Sequence, residues 1–312
     1  MKRCAFLSMR DLTGYLSDDG LAVAALNTLG WSVATNAWCD TSVNWAAYDL
    51  VVVRSTWDYH HRPGNFLSTL RRIERSGAVL ANPLNTIEWN INKRYLRELA
   101  SRGVDIVPTH WGRAGTLPDA AELFTTLGCD ELVLKRVVGA GAQNAYRLRS
   151  GETDDIWDEV QNTYANQDWM AQPFLDSVIN DGESSLFFFD GEFSHAVRKV
   201  PKTGDYRVQE EYGSTLTRID PGADLRTAAD VVMARVAATP LYARVDLVRG
   251  TAGAHQLMEL ELIEPALYLR LDESAPEKFA RALDRWWNSV HTYRLAQGNG
   301  GKPGMDGKDF EA

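Results

Sequence analysis

Residues 257–265, LMELELIEP, place three carboxylates inside an otherwise apolar run. Side chains alternate between the two faces of a β-strand, so Glu259 and Glu261 are predicted to point the same way as Leu257, opposite to Met258. Two like charges one strand repeat apart repel each other, and burying them adds a desolvation cost. A fold that contains this strand must therefore leave its acidic face in water or bring positive charge to it.

A further carboxylate is predicted to lie beside this pair. Asp246, in the run RVDLV, lies on the other arm of a predicted hairpin that turns through residues 250–253, which places it opposite residues 257–259. Three carboxylates on one sheet face, Asp246, Glu259 and Glu261, make an oxygen-rich site of the kind that Mg²⁺ prefers, and the ion would offset their repulsion. The alternative is a solvated strand face with alternating charge, and spacing alone leaves both open.

Composition narrows the class of protein. The chain has 312 residues, enough for two or three structural units, and its longest apolar runs are too short to cross a bilayer. Its three cysteines, Cys4, Cys39 and Cys129, form no CxxC pair and are odd in number, which fits a reducing cytoplasm. A net charge of −9 argues against a broad nucleic-acid surface. We therefore expect a cytoplasmic protein with neither a nucleic acid nor a membrane as partner.

The first 85 residues alternate between apolar strands and amphipathic helices. Strands predicted at 3–9, 49–53 and 78–83 are separated by helical patterns, which indicates a small domain with a parallel sheet. Ligands of such sheets bind beyond the carboxyl ends of the strands, where the loop RSTWDY follows the second predicted strand. The candidates for substrate recognition are therefore four polar residues of this loop: Arg54, Ser55, Thr56 and Asp58.

The pattern changes from residue 86 onward. One helix that carries Lys93 and ends at Gly103 is followed by strand, glycine loop and strand, and then by two hairpins and an amphipathic helix. We predict one domain over 86–290. Residues 291–312 are predicted to be a disordered tail, because glycine and charge dominate from residue 297.

Cationic residues in this part of the chain suggest anion binding. Lys135 precedes the small-residue loop GAGAQN, which could help it hold a phosphate, although a strand lysine that reaches water is the alternative. The loop completes neither a Walker A nor a GxGxxG motif. Lys199 and Arg207 belong to a basic cluster that could stabilise a transferring phosphoryl group or form an exposed loop. His195 could titrate near neutrality or be a hydrogen-bonded structural histidine.

Taken in order, these pieces resemble the ATP-grasp superfamily, in particular its glutathione-synthetase-like branch. The resemblance is carried by QPFLDSVINDGESSLFFFDGEF, VPKTGDYRVQEEYGS, ARVDLV and ELELIEP, and it spans roughly residues 86–290. It implies an α/β (α+β) protein with an ATP-grasp fold: an N-terminal parallel-sheet domain, a lid subdomain at about 108–172 and a C-terminal antiparallel-sheet subdomain. It also implies that the protein uses ATP and Mg²⁺.

The same resemblance implies roles for individual residues. The residues implied to bind the nucleotide are the phosphate-binding Lys93 and Lys135, the lid glycines Gly139 and Gly141, the adenine hinge of Gln172, Phe174 and Leu175, and the ribose-binding Glu183. Arg207 matches an arginine that steadies the acyl phosphate, and Lys199 a further phosphate contact. Asp246, Glu259 and Glu261 match the magnesium ligands, although the family usually has asparagine where this chain has Glu261.

Within the superfamily, the runs VVVRSTWDYHHRPGNF and NPLNTIEWNINKRYL resemble a smaller group that includes the O-ureido-serine cyclo-ligases. This implies a small amino-acid-like substrate whose carboxylate is activated as an acyl phosphate and then attacked by a nitrogen of the same molecule. The alternatives are a ligase that joins two molecules and a nucleotide-binding module without chemistry. A homodimer is compatible with the acidic composition and the scattered tryptophans, but no apolar stripe marks an interface.

Overall fold

The computed structural model describes residues 1–296, except the side chains of residues 294 and 295, and contains three sheets. The predicted disorder from residue 297 onward lies outside the described residues. Residues 291–296, which were predicted to belong to the tail, instead form the end of the last helix.

The N-terminal sheet is parallel and has the strand order β2-β1-β3-β4. Its strands and the helices between them are β1 (Lys2–Ser8), α1 (Asp19–Thr28), β2 (Trp31–Ala37), β3 (Leu50–Ser55), α2 (Pro63–Arg75) and β4 (Val79–Ala81). The parallel sheet was predicted, but β2 was not. β2 lies at the edge of the sheet, and Trp31 is its one buried residue. An edge strand needs no continuous apolar run, which is why the sequence pattern did not reveal it.

The other two sheets are antiparallel. The lid sheet, of order β5-β8-β6-β7, and its helices comprise β5 (His110–Gly112), α5 (Ala120–Leu127), β6 (Glu131–Arg136), β7 (Tyr146–Arg149), α6 (Trp157–Tyr164) and β8 (Trp169–Pro173). The central sheet, of order β11-β10-β9-β12-β13, comprises β9 (Glu183–Phe189), β10 (Glu192–Val200), β11 (Thr215–Ile219), β12 (Tyr242–Arg249) and β13 (His255–Glu261). The remaining helices are α3 (Leu84–Asn90), α4 (Tyr95–Ser101), α7 (Ser177–Asn180), α8 (Ala223–Met233) and α9 (Ala275–Ala296).

The last helix, α9, packs on the N-terminal sheet rather than apart from it. The rings of Phe6 and Phe279 meet edge to face with centroids 6.5 Å apart, and those of Trp31 and Trp287 do so at 5.8 Å. Side chains of β1, α9 and β9 share one buried cluster. The domain boundary after residue 85 stays a prediction, and this cluster shows that the core itself is continuous across it.

The predicted single helix around Lys93 is wrong, because the chain forms two short helices with Lys93 between them. The Asn92 side chain accepts a hydrogen bond from the Arg94 N–H at 3.0 Å, and the Lys93 N–H donates to the Val137 carbonyl at 2.9 Å. An asparagine side chain that bonds the backbone in this way competes with helical hydrogen bonds. The break turns the Lys93 ammonium toward the glycine loop after β6.

The outer edge of β13 is completed by side chains of the α3–α4 segment. Asn90 donates to the Leu260 carbonyl at 2.8 Å and accepts from the Leu262 N–H at 2.9 Å. The Tyr95 hydroxyl accepts from the Leu260 N–H at 2.9 Å, and Asn82 donates to the Leu262 carbonyl at 2.8 Å. An unpaired strand edge thereby gains partners for its buried backbone groups.

A β-bulge changes the predicted facing of β13 at one end. The pairing of β12 with β13 places Asp246 opposite Glu259, as predicted, but the next pair is Leu247 with Leu257, so Met258 has no opposite residue. Leu257 therefore lies in the core, and Met258 lines a cavity, the reverse of the sequence expectation. One extra residue reverses the facing of the residues that precede it.

Two further findings bear on partners. Among the described residues, no helix is long and apolar enough to cross a membrane. All ten tryptophans lie within residues 1–296, and each is buried or half-buried. The tryptophans thus pack inside the protein, and their number no longer favours a dimer interface.

The Asn90→Ala substitution tests the role of the β13 edge. It removes two hydrogen bonds and leaves the Leu260 carbonyl and the Leu262 N–H buried without these partners, so we expect a loss of about 2–4 kcal/mol in the free energy of unfolding. Urea denaturation measures the loss. The exposed Asn85→Ala on the same helix is the control and should change stability by less than about 0.5 kcal/mol. Equal losses in both variants would contradict the edge assignment.

Candidate active site

A cavity of about 370 Å³ lies where the central sheet, the lid sheet and the N-terminal loops meet. Every residue predicted to bind nucleotide, act on phosphate or hold metal lines it: Lys93, Lys135, Gly139, Gly141, Gln172, Phe174, Leu175, Glu183, Lys199, Arg207, Asp246, Glu259 and Glu261. The structure therefore brings together residues from four separate stretches of chain. Their individual roles stay predictions.

The two lysines predicted to hold phosphates approach the cavity from different elements. Lys93 Nζ lies 2.9 Å from Glu259 Oε1 and 2.6 Å from the Gly139 carbonyl oxygen. Burial lowers the pKa of Lys93, but the Glu259 carboxylate outweighs it, and the pKa is raised overall. Lys135 Nζ lies 3.0 Å from Gln172 Oε1, and burial lowers its pKa. Both lysines are thus half-buried at the cavity, with partners that a phosphate could displace.

The glycine loop after β6 is held over the cavity by aromatic side chains from two other segments. The Tyr212 hydroxyl donates to the Gly141 carbonyl at 3.1 Å, and the Tyr206 hydroxyl donates to the Ala145 carbonyl at 3.0 Å. From the N-terminal domain, His60 Nε2 lies 3.1 Å from the side-chain oxygen of Gln143. These contacts describe a lid that is closed on the cavity.

The predicted adenine hinge has protein partners of its own. The Gln172 amide donates to Thr109 Oγ1 at 3.0 Å, and the Phe174 N–H donates to the Glu131 carbonyl at 2.8 Å. The Arg147 guanidinium stacks on the Phe174 ring at 3.7 Å from its centroid. The hinge is therefore rigid, and the Phe174 N–H already has a partner.

The predicted ribose ligand Glu183 forms an ion pair with Lys199, and both side chains are buried. Lys199 Nζ also lies 3.5 Å from Asp246 Oδ1. Burial lowers the pKa of Lys199, but Asp246 and Glu183 outweigh it and the pKa is raised. Lys199 therefore remains a cation between two acids. On the facing loop, Arg207 pairs with Asp205 at 2.7 Å and stacks on Tyr212.

Arg244 is a site residue that the sequence analysis missed. Its guanidinium bonds both oxygens of Asp246, at 3.0 Å from Nε to Oδ1 and 2.9 Å from Nη2 to Oδ2, and Nη2 also pairs with Glu261. The residue lies two positions before Asp246 in ARVDLV and opposite Glu261, so strand alternation puts all three on one face. That spacing could have identified it.

The three predicted metal ligands line the cavity, but they do not converge as expected. Arg244 stands between Asp246 and Glu261, while Lys93 pairs with Glu259. Over residues 1–296, no group of three or more His, Cys, Asp or Glu side chains is arranged to hold a metal ion. In the protein alone, repulsion separates the carboxylates, and each takes the nearest cationic side chain.

Negative charge is nevertheless in excess around Glu261. Burial raises its pKa to about 7, and the carboxylates of Asp246 and Glu259 add to this in spite of the Arg244 guanidinium. All three candidates offer only oxygen donors, which suit Mg²⁺. The donor set and its excess charge fit a divalent cation.

The structure places the four predicted substrate residues of the N-terminal loop outside this cavity, and their role in substrate binding stays a prediction. Among the described residues, those that line the cavity include Trp57, Tyr59 and His60 of this loop, but not Arg54, Ser55, Thr56 or Asp58. β3 continues through Ser55, so Arg54 and Ser55 still belong to the strand, and both side chains are buried. Candidates for substrate contact therefore shift to the three aromatic residues.

The four residues excluded from the cavity have structural surroundings instead. Arg54 is 3% exposed and bonds Asp19 at 3.0 Å, and Ser55 also donates to Asp19. Thr56 is fully buried. Asp58 accepts a hydrogen bond from the Trp38 indole at 2.6 Å.

Comparison with known proteins agrees with this architecture. Residues 4–82 match the family model of the D-cycloserine synthetase DcsG N-terminal domain, and residues 122–258 match that of the prokaryotic glutathione synthetase ATP-grasp domain. The crystal structure of D-cycloserine synthetase DcsG superimposes with a TM-score of 0.80 at 28% identity, covering 91% of this chain and 99% of that one. A D-alanine–D-alanine ligase from Bacillus anthracis, 14% identical, shares the fold with a TM-score of 0.67 over 96% of this chain and all of that one. The molecule is thus an ATP-grasp protein.

A curated relative makes the assignment narrower. The cycloserine biosynthesis protein DcsG of Streptomyces lavendulae is 31% identical over 274 residues, which cover 83% of this chain and 90% of that protein. The chain belongs to the D-cycloserine synthetase family of ATP-grasp ligases. It is an ATP-dependent enzyme that forms carbon–nitrogen bonds, which confirms the resemblance and the fold class that the sequence predicted. The alternative of a binding module without chemistry is therefore set aside.

His195, the histidine of undetermined role, is structural. Its ring is 2% exposed, stacks on Phe187 with centroids 4.3 Å apart, and bonds the Leu267 carbonyl at 3.0 Å. Burial lowers its pKa to about 4. It does not line the cavity.

This histidine predicts a pH effect on stability. A histidine in the unfolded chain is protonated below about pH 6.5, whereas His195 in the folded protein stays neutral down to about pH 4. Protonation therefore favours the unfolded chain, and the free energy of unfolding falls as the pH drops from about 6.5 to about 4. Between pH 7 and pH 4, the wild type should lose about 3 kcal/mol more than His195→Gln in urea unfolding. The exposed His61→Gln is the control. Parallel curves for wild type and His195→Gln would contradict the assignment.

Proposed function

We propose that this enzyme activates the carboxylate of a small amino-acid-like molecule and closes a ring within that molecule, as in the conversion of O-ureido-D-serine to D-cycloserine. The observation that carries the proposal is the composition of the single cavity described above. On one side it gathers the predicted nucleotide residues, and on the other the loop of Trp57, Tyr59 and His60 from the N-terminal domain. That domain matches the model named for D-cycloserine synthetase, which supports a substrate of that type.

In the first chemical step, a substrate carboxylate oxygen attacks the γ-phosphorus of ATP, which yields an acyl phosphate and ADP. Lys93, Lys135 and Arg207 supply positive charge to the oxygens of the transferring group. A nitrogen of the same molecule then attacks the acyl carbon, a C–N bond forms and inorganic phosphate leaves. Holding both reacting ends in one cavity makes ring closure effectively unimolecular.

The closed lid has a purpose in this scheme. An acyl phosphate is hydrolysed if water reaches it, so the site must exclude water while the intermediate exists. Tyr206, Tyr212 and His60 contact the glycine loop from two directions and hold it over the cavity. Opening these contacts would admit ATP, and closing them would protect the intermediate.

The charge of the cavity supports Mg²⁺ as the cofactor. Six cationic side chains line it: Lys93, Lys135, Arg136, Lys199, Arg207 and Arg244. Seven carboxylates also line it: Glu183, Glu210, Glu211, Asp246, Glu259, Glu261 and Glu264. This balance cannot neutralise a polyphosphate, so more positive charge is needed. Asp246, Glu259 and Glu261 would hold the ion, which would supply charge neutralisation to the ATP phosphates.

The function is tested by mixing enzyme, ATP and Mg²⁺ with O-ureido-D-serine and measuring ADP together with product mass. Ring closure removes one water from the substrate, and D-cycloserine also lacks the carbamoyl group, which leaves on hydrolysis as carbon dioxide and ammonia. A product with either composition supports cyclisation. Two substrate molecules joined with loss of water would indicate an intermolecular ligase, and absence of ADP formation would reject this substrate.

Assembly and location are secondary inferences. We infer a cytoplasmic enzyme because Cys4, Cys39 and Cys129 are free thiols. A homodimer stays a prediction, as does the absence of a nucleic-acid partner. Light scattering on the purified enzyme tests the dimer, and a filter-binding assay with duplex DNA and RNA tests the second point.

The Glu259→Gln substitution tests the metal assignment. It keeps the size of the side chain but removes one negative oxygen ligand, so we expect kcat to fall by about 10³-fold or more and the Mg²⁺ concentration for half-maximal activity to rise. ADP release over a Mg²⁺ titration measures both, and thermal unfolding checks the fold. The exposed Glu277→Gln is the matched control. A Glu259→Gln enzyme with an unchanged Mg²⁺ dependence would refute the assignment.

A further inference from the structure

The three carboxylates of LMELELIEP differ in their partners. Glu259 pairs with Lys93, and Glu261 pairs with Arg244. Glu264 lines the same cavity and is 8% exposed, yet among the side chains that the structure describes no Lys, Arg or His nitrogen lies within 4.0 Å of its carboxylate oxygens. Glu264 is therefore a buried carboxyl group that faces the cavity without a cation of the protein.

The backbone around Glu264 is fixed from the N-terminal domain. The Trp57 indole donates to the Glu264 carbonyl at 2.9 Å, and the Arg54 guanidinium lies 3.4 Å from the Pro265 carbonyl oxygen. Tyr59 lies on the same side, and its pKa is raised by burial, then by the charge of the Glu264 carboxylate, and also by a side-chain hydrogen bond to that carboxylate. These contacts hold the backbone of Glu264 in place, so its side chain is presented to the cavity.

A buried carboxylate without a cationic partner is unfavourable unless something compensates its charge, and a hydrogen bond from a neutral hydroxyl does so only in part. Burial, followed by the Glu261 carboxylate, raises the pKa of Glu264 well above its ordinary value, and Lys93 offsets this only in part. A protein that keeps such a group at the wall of a ligand cavity has a place for a cationic group of the ligand. The loop that bonds the Glu264 backbone also supplies Trp57, Tyr59 and His60 to the wall of the cavity.

We propose that Glu264 binds the α-ammonium group of the substrate and thereby selects amino acids over other carboxylates. This rests on the proposed function, because it concerns the substrate of the same site. In an α-amino acid, the ammonium nitrogen and the carboxylate are attached to one carbon. An ammonium ligand must therefore lie close to the phosphorylation site without being part of it. Glu264 meets this condition, since it follows Glu261 by three residues, beyond the end of β13.

In this assignment the Glu264 carboxylate also determines how the substrate is oriented in the cavity. With the ammonium held by Glu264 and the substrate carboxylate turned toward Lys93 and Arg244, the side chain of the amino acid is directed toward Trp57, Tyr59 and His60. The nucleophilic nitrogen belongs to that side chain, so its approach to the acyl carbon depends on the ammonium contact. Loss of the contact should weaken both binding and ring closure.

The test compares two substrates on two enzymes. The substrates are O-ureido-D-serine and its des-amino counterpart, 3-(ureidooxy)propanoate, and the enzymes are wild type and Glu264→Gln, with ADP release as the readout. We expect wild type to prefer the amino compound by about 100-fold in kcat/KM, and Glu264→Gln to lose most of that preference by becoming worse only on the amino compound. The exposed Glu273→Gln is the control and should keep the wild-type ratio.

Several outcomes overturn the assignment. It fails if Glu264→Gln keeps the wild-type preference, or if the variant loses the same factor on both compounds. Should the variant not fold, the wild type alone decides: similar kcat/KM values for the two compounds defeat the role of Glu264, and a strong preference supports it. The proposed function fails separately, when wild type releases no ADP with O-ureido-D-serine but does so with another amino acid; the same comparison is then made with that amino acid and its des-amino form.

Discussion

The outer edge of β13 is the feature on which the rest of the site depends. Leu257 bonds the backbone of Asp105 and Val107, and from Leu260 onward the backbone groups bond side chains of Asn82, Asn90 and Tyr95. The N-terminal domain and the α3–α4 segment thus attach directly to the strand that carries the acids. The same segment contains the break that presents Lys93 to Glu259. These side-chain-to-backbone bonds thus complete the outer edge of the central sheet and join the N-terminal domain to it. They also hold the segment that brings Lys93 to Glu259. Buried backbone groups would otherwise be left without partners, which proteins seldom tolerate.

The arrangement of charge follows from this attachment. Acids that would repel each other on one strand face are separated by the cations that the neighbouring elements deliver: Lys93 from the helix break and Arg244 from β12. Such pairs are costly to bury, and their retention here is explained by function rather than by stability. The site has positive groups placed for phosphate oxygens and negative groups placed for positively charged ligands. Of the three acids of LMELELIEP, Glu264 is the one with no Lys, Arg or His partner among the described side chains, and its backbone carbonyl accepts a hydrogen bond from Trp57 of the N-terminal domain.

Much of this could be predicted from the sequence, because it depends on local patterns and the order of motifs. The position of the hairpin turn placed Asp246 opposite residues 257–259, and the order of lysines, hinge and arginine loop indicated the ATP-grasp fold. The misses have physical reasons. The bulge at Met258 reverses the strand facing and leaves no mark in composition, and the break at Lys93 depends on a side-chain bond of Asn92. The substrate loop was displaced because β3 runs further than its apolar residues suggest, and Arg244 was overlooked although its spacing to Asp246 was visible.

The central claim is that a substrate carboxylate is phosphorylated by ATP before the C–N bond forms. The most direct measurement uses O-ureido-D-serine labelled with ¹⁸O in both carboxylate oxygens and determines the isotope content of the released inorganic phosphate by mass spectrometry. Phosphorylation followed by attack of nitrogen transfers one carboxylate oxygen to phosphate, so the account predicts one ¹⁸O atom per phosphate for each product molecule. Phosphate without ¹⁸O, formed in step with product, would show that ATP is cleaved by another route and would contradict the account.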